Sequence, residues 1–112
     1  MMLLYVVIKS YAVYFENAMD TKQVRMIVSG VVQGVFFRAS TQDKAQLLGL
    51  KGWVRNRHDG TVEICAQGFQ PQLDDFVHWC RRGPDQAHVT NLEAINEDVT
   101  SIFESFDILA TG

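Results

Sequence analysis

A nine-residue segment, Gly30 to Arg38, constrains this chain more than any other part of its sequence. It carries two glycines and an arginine, and it joins an alternating apolar run, Val24 to Ser29, to a helical pattern that starts near Phe37. Glycine permits left-handed backbone angles and leaves no Cβ in the way of a ligand. A strand-to-helix loop of this kind can direct backbone N–H groups and a guanidinium toward one anion. The segment therefore predicts a phosphate site, although glycine spacing alone would also fit a simple turn.

A second pattern follows one helix length later. Gly52 to Asn56 precedes a turn at His58 to Gly60, and Gly68 closes the next strand. The two segments together resemble the signatures of the acylphosphatase family, Gly-x-Val-Gln-Gly-Val-x-Phe-Arg and Gly-aromatic-Val-x-Asn-x-x-x-Gly-x-Val with a further Gly six residues on. Every fixed position is present, and the resemblance runs from about Gln23 to Leu109.

Hydrophobic periodicity predicts the order strand, helix, strand, strand, helix, strand, with a short final strand. The strands are expected at Val24 to Ser29, Trp53 to Arg57, Thr61 to Gln67, Ala87 to Ile95 and Ser105 to Leu109. Val62, Ile64 and Ala66 are expected to form the buried face of the third strand, and Phe106 and Ile108 of the last strand can point inward. The helices are marked by Phe37, Thr41, Ala45 and Leu48, ending at Gly49, and by Leu73, Phe76, Val77 and Cys80 after Pro71. This order predicts an α+β sandwich in which two helices cover one face of a mostly antiparallel sheet. The resemblance implies the same fold, ferredoxin-like.

The resemblance implies an activity and a site. The implied activity of this chain is the metal-independent hydrolysis of small acyl phosphates to a carboxylate and inorganic phosphate. The implied catalytic residues are Arg38 and Asn56. The residues implied to bind the phosphate are Gln33, Gly34, Val35, Phe36, Phe37 and Arg38. A guanidinium matches phosphate with two donors, and an uncharged amide can orient the attacking water without repelling the phosphate.

Four further residues lie near this site in the sequence. Gly30 and Thr41 are expected to support the phosphate loop, and Thr41 can bond either the loop or the carbonyl four residues earlier. Arg55 flanks Asn56 on a strand and should point to the opposite face, as should Arg57, where both would help solubility.

No sequence pattern requires a metal or an organic cofactor, so none is expected. The chain has no Walker-type GK[ST] and no HExxH. His58, His78 and His88 lack metal-ligand spacing and are expected at turns or on the surface. Cys65 and Cys80 form no CxxC, which favours small apolar thiols in a reducing cytoplasm.

The formal net charge of −3 argues against nucleic acid or an anionic membrane as a partner. At 112 residues we expect one small domain, acting as a monomer on a small-molecule acyl phosphate. One alternative is a module that binds phosphate or carbamoyl phosphate without turnover, since the N-terminal domain of the hydrogenase-maturation carbamoyltransferases also resembles this chain. The other is an RNA-recognition module, but Phe36 and Phe37 stand in a loop and not on a central strand.

The first twenty residues differ from the rest, because Met1 to Ile8 is continuously apolar. This run is far shorter than the roughly 20 residues of a membrane helix, and a basic leading segment and a signal-cleavage pattern are lacking. We predict an apolar extension over residues 1–20 and a domain over 21–112, with Met19 as a candidate native start. Packing on the sheet, self-association and a loose extension remain open alternatives.

Overall fold

The computed structural model describes residues 20–112, which form five strands and two helices. They are β1 Lys22–Val31, α1 Phe37–Leu47, β2 Lys51–Asn56, β3 Val62–Gly68, α2 Gln70–Cys80, β4 His88–Glu97 and β5 Phe106–Ile108. The predicted order of elements is confirmed. The predicted extension and the start at Met19 fall on residues 1–19, outside the described part of the chain. No helix within the described residues is long and apolar enough to cross a membrane.

The strands form one sheet in the order β4-β1-β3-β2-β5. Neighbouring strands run antiparallel, except that β5 pairs with β2 in parallel. Val62 of β3 pairs with Val28 of β1 on one side and with Asn56 of β2 on the other. The loop that follows β1 and the last residue of β2 therefore lie at the same end of the sheet.

Both helices pack on one face of the sheet and enclose the core. The buried core residues are Val24, Met26, Val28, Val32, Phe37, Ala45, Leu50, Val54, Val62, Ile64, Ala66, Leu73, Phe76, Cys80, Leu92 and Phe106. Each large apolar side chain buried in this way contributes roughly 1.5 to 3 kcal/mol to the stability of the fold. The architecture is α+β and ferredoxin-like, as the sequence predicted.

The predicted helix boundaries have visible causes. Gly49 follows α1 with φ +73°, the left-handed conformation that glycine adopts without steric cost. Its N–H donates to the carbonyl oxygen of Gln46 at 3.1 Å. Pro71 lies in the first turn of α2, where a missing N–H breaks no helical hydrogen bond.

The helix-free face of β3 is buried as well, which the alternating pattern did not predict. Glu63, Cys65 and Gln67 are only 5%, 1% and 2% exposed. Gln67 donates to Gln23 Oε1 at 2.7 Å and to the carbonyl oxygen of Ser101 at 2.6 Å. The connection between β4 and β5 therefore adheres to this face through side-chain hydrogen bonds.

One expectation about the last strand is wrong. Phe106 and Ile108 were both expected to point inward, and Phe106 is 2% exposed while Ile108 is 40% exposed. Phe106 packs edge-on against Phe76 of α2, with ring centroids 6.0 Å apart. Phe106 is covered by α2, whereas Ile108, two residues further along the same edge strand, remains exposed.

Candidate active site

The end of β1 and the loop that follows it contain three residues with positive φ: Gly30 at +123°, Gly34 at +75° and Phe36 at +63°. A Cβ at Gly30 would collide with the carbonyl oxygen of His88, so this glycine lets β1 pass close to β4 at an irregularity in their pairing. Gly34 has open space where its side chain would be. Gly30 thus shapes the start of the loop, and Gly34 leaves its middle accessible.

Phe36 is the one residue other than glycine with positive φ among the described residues. It occupies the N-cap position of α1, the residue is 71% exposed, and its side chain caps no helical N–H. A left-handed conformation at such a residue costs of the order of 1 kcal/mol or more, and strain of this kind concentrates at functional loops. Phe36 therefore sets the angle at which the chain enters α1.

The loop before α1 and the first turn of this helix are rich in free backbone donors. Within the described residues, no hydrogen bond is made by the backbone N–H groups of residues 33–39. The first N–H groups of any helix lack partners inside the helix, and they carry the positive end of its dipole. This arrangement is suited to an anion.

A cavity of about 280 Å³ lies at this end of the sheet. Its lining residues are Val32, Gly34, Phe36, Phe37, Arg38, Ala39 and Asn56. Arg38 takes part in no ion pair with a described residue, so its guanidinium is available to a ligand. The structure thus brings five predicted site residues together, from the loop, from α1 and from β2.

Asn56 contributes a polar atom that lacks a protein partner. Its Oδ1 is buried and accepts no hydrogen bond from the described residues. A buried acceptor without a partner typically costs about 1 to 3 kcal/mol, unless a water or a ligand supplies a donor. The cavity beside it can hold such a donor.

The backbone of Asn56 is fixed from two sides. Asn56 pairs with Val62 in the sheet, and its carbonyl oxygen accepts the N–H of Gly112 at 3.0 Å. The turn that follows is stiffened by Asp59, whose Oδ1 accepts the Thr61 hydroxyl at 2.6 Å and the Thr61 N–H at 3.0 Å. These bonds from Thr61, the hydroxyl first, hold the pKa of Asp59 below its ordinary value.

Two residues of the predicted phosphate-binding loop do not line the cavity with their side chains. Gln33 turns toward the β2–β3 hairpin, where its Nε2 donates to the carbonyl oxygens of Arg57 at 2.8 Å and Thr61 at 2.9 Å. Val35 packs against the core. Any contact of either residue with phosphate would therefore run through its backbone N–H.

Sequence reasoning missed two residues of the cavity wall. Val32 is 1% exposed and contributes an apolar wall, and Ala39 lies in the first turn of α1. Val32 occupies a fixed position of the first motif, so the signal was present, but its role there was not recognised.

Thr41 differs from both roles that were considered for it. It is fully buried, and its Oγ1 makes no hydrogen bond to a described residue. Neither the bond to the loop nor the bond to the carbonyl of Phe37 is formed. Thr41 instead fills space beneath α1, beside Phe37 and Ala45.

The remaining polar candidates lie away from the cavity. His58, His78 and His88 are exposed, as predicted. Within residues 20–112, three or more His, Cys, Asp or Glu side chains are nowhere grouped so as to hold a metal ion. Cys65 and Cys80 are buried free thiols, which confirms their assignment as small apolar residues.

Comparison with known proteins identifies relatives of this chain. The family model described as Acylphosphatase matches residues 24–108. An acylphosphatase of Methylococcus capsulatus is 49% identical over 88 residues, which cover 79% of this chain and 96% of that protein. The structure of an acylphosphatase from Coxiella burnetii matches with a TM-score of 0.77 and 37% identity, covering 80% of this chain and 94% of that chain.

A larger protein shares the fold alone. Full-length HypF, solved in a phosphate- and nucleotide-bound form, matches with a TM-score of 0.76 at 23% identity. The match covers 83% of this chain but 12% of that chain.

Proposed function

This chain belongs to the acylphosphatase family, and we propose that it hydrolyses small acyl phosphates to a carboxylate and inorganic phosphate. One observation in the structure carries the proposal. The cavity at the end of the sheet joins Arg38, the uncapped start of α1 and the unpartnered amide oxygen of Asn56. An anion binder needs the first two, and the third supplies what a hydrolase needs in addition.

We propose that the phosphoryl group lies against the backbone N–H groups of residues 33–38 and against the guanidinium of Arg38. These donors are preorganised, because the left-handed conformations at Gly34 and Phe36 already turn the chain around the cavity. Preorganised donors stabilise charge on the phosphoryl oxygens throughout the transfer, and such electrostatic stabilisation is commonly the largest contribution to catalysis.

We propose that Asn56 orients the water that attacks phosphorus. Its Oδ1 would accept a hydrogen bond from that water and so direct the lone pair of the water oxygen toward the phosphoryl group. A bond forms between the water oxygen and phosphorus while the bond from phosphorus to the acyl oxygen breaks. The carboxylate leaves with the electron pair, and the proton of the water passes to solvent or to the phosphate product. A carboxylate is a good leaving group, so no strong general acid is required.

Metal-independent catalysis is part of this proposal. The positive charge and the donors that a phosphoryl group needs are assigned to Arg38 and to the loop amides, and the leaving group needs no further activation. The predicted monomeric state and a cytoplasmic location are also proposals, and the buried free thiols of Cys65 and Cys80 fit a reducing compartment.

The test is phosphate release from benzoyl phosphate or acetyl phosphate by the purified chain, with and without EDTA. We expect the same turnover in both conditions, and competitive inhibition by inorganic phosphate, because the product keeps the group that the loop recognises. Activity that is lost on chelation and restored by added metal would refute the metal-free mechanism. Tight phosphate binding without turnover would favour the non-catalytic binding module.

A further inference from the structure

We propose that Gln33 is a positioning residue, which holds the phosphate loop and Asn56 in a fixed relation to each other. Its side chain leaves the loop and fastens it to the hairpin that carries Asn56. This inference goes beyond the proposed function and rests on it, since it takes the loop as the phosphate site and Asn56 as the residue that orients water.

The contact uses both N–H donors of the Gln33 side-chain amide. Gln33 Nε2 carries two protons, and it lies 2.8 Å from the carbonyl oxygen of Arg57 and 2.9 Å from that of Thr61. These two carbonyls are the ones that close the hairpin turn. Arg57 O also accepts the N–H of Gly60 at 3.1 Å, and Thr61 O accepts the N–H of Arg57 at 2.9 Å. Gln33 therefore engages the rigid base of the turn.

The sheet gives this contact its importance. The phosphate loop follows β1 and Asn56 ends β2, but β3 lies between these two strands. The loop and Asn56 are therefore not joined directly by the ladder, because β3 separates the strands that carry them. Among the described residues, the two bonds from Gln33 are the side-chain hydrogen bonds that connect residues 30–38 with residues 56–62.

The chemistry of the position favours an amide over other side chains. Two carbonyl oxygens accept hydrogen bonds, so an ionised carboxylate at residue 33 would repel them. A lysine could donate to both, but it would add a charge beside the phosphate site. A misplacement of about 1 Å between reacting groups can cost a factor of about 100 in rate, so a small loosening of the loop against the hairpin should slow turnover.

A double-mutant cycle on kcat tests the proposal, with Gln33→Met, Asn56→Ala and the double variant. Methionine keeps the length of the side chain and removes both donors. We expect Gln33→Met to lower kcat about tenfold and to leave the inhibition constant of inorganic phosphate within about twofold of wild type. We expect Asn56→Ala to lower kcat by about 100-fold. In the Asn56→Ala background, Gln33→Met should change kcat by less than about twofold, since no oriented amide remains to be displaced.

Gln42 offers a matched control. Its Nε2 also donates to a backbone carbonyl, that of Phe106 at 2.9 Å, and the bond joins α1 to β5 outside the cavity. Gln42→Met should therefore lower the free energy of unfolding by about as much as Gln33→Met does, while kcat stays at the wild-type value. Urea unfolding of both variants separates a loss of stability from a loss of positioning.

The outcomes distinguish a failure of the role proposed for Asn56 from a failure of the role proposed for Gln33. If Asn56→Ala retains wild-type kcat, the proposed role of Asn56 fails. If Asn56→Ala loses kcat but Gln33→Met lowers kcat equally in both backgrounds, the role of Asn56 stands and the positioning role of Gln33 is overturned. A Gln33→Met variant that binds phosphate more weakly but keeps wild-type kcat would also overturn the positioning role of Gln33. Gln33→Leu is the second variant if Gln33→Met does not fold, and failure of both to fold would make Gln33 a structural residue only.

Discussion

Arg55 Nη2 lies 2.7 Å from Glu63 Oε1 on the face of the sheet opposite the helices. Arg25 Nη1 reaches the other oxygen of the same carboxylate, also at 2.7 Å. Both guanidinium groups lie 5.4 Å from the ring centre of Trp53, within range of a cation–π interaction. Arg55 was expected to help solubility, but here it ties β2 to β3 through a carboxylate that is only 7% exposed.

This carboxylate makes the stability of the fold depend on acid. Burial alone would raise the pKa of Glu63, but the hydrogen bonds from Arg55 and Arg25 outweigh it and hold the pKa below its ordinary value. A carboxylate whose pKa is lower in the folded state stabilises the fold above its unfolded pKa, and this contribution is lost as the pH falls through the folded pKa. We expect Glu63→Gln to lower the free energy of unfolding at about pH 7 and to weaken its decline below about pH 4.5.

The measurement is urea unfolding from about pH 7 to about pH 3. Glu104 is an exposed carboxylate that serves as the matched control, and Glu104→Gln should leave the acid profile of the wild type unchanged. A Glu63→Gln profile parallel to that of the wild type would show that this ion pair does not set the acid dependence.

Adding one methyl group at Gly52 should have a large effect on the free energy of unfolding. The φ of Gly52 is +142°, and a Cβ there would collide with the carbonyl oxygen of Cys65 in the neighbouring strand. We expect Gly52→Ala to lower the free energy of unfolding by about 3 kcal/mol or more, since the backbone itself would have to shift. Gly60→Ala should cost only about 1 kcal/mol, because Gly60 has positive φ but open space around it. Equal losses in chemical denaturation would contradict this account of Gly52.

The two thiols should be inert in the folded protein. Burial raises the pKa of Cys65 to about 11, and burial raises the pKa of Cys80 as well. The thiolate is the reactive form, so neither residue should be labelled by a disulfide reagent at about pH 8 until the protein unfolds. Labelling with and without guanidinium chloride, followed by mass spectrometry, measures this. Rapid labelling of Cys65 under native conditions would mean that the helix-free face opens readily.

Much of the fold was readable because its signals are local. The helical spacing of Leu73, Phe76 and Cys80 fixed the buried side of α2, and all three are buried. Gly49 and Pro71 marked helix ends through backbone angles that other residues adopt poorly. Such features depend on a few adjacent residues, so a single sequence contains them.

The errors concern features set by distant residues. Ile108 shares the inward pattern of Phe106, but only Phe106 is covered by a helix, and that packing depends on residues far away in the sequence. Glu63 alternates with apolar residues along β3, a pattern that predicts exposure, but ion pairs with arginines from two other strands cover it. Gln33 lies within the phosphate motif, but the destination of its side chain depends on a hairpin 24 and 28 residues away.

Arg38 gives the last prediction, since its charge should act in binding and in turnover alike. Its guanidinium would neutralise the phosphoryl group in the substrate, in the transition state and in the product. We expect Arg38→Ala to weaken phosphate binding and to lower kcat/KM by roughly 100-fold or more, and Arg38→Lys to recover part of both through charge without the planar donor pair. Arg82, whose side chain is 87% exposed, is the matched control, and Arg82→Ala should behave as wild type. Unchanged phosphate affinity in an Arg38→Ala variant that circular dichroism shows to be folded would remove Arg38 from the proposed site.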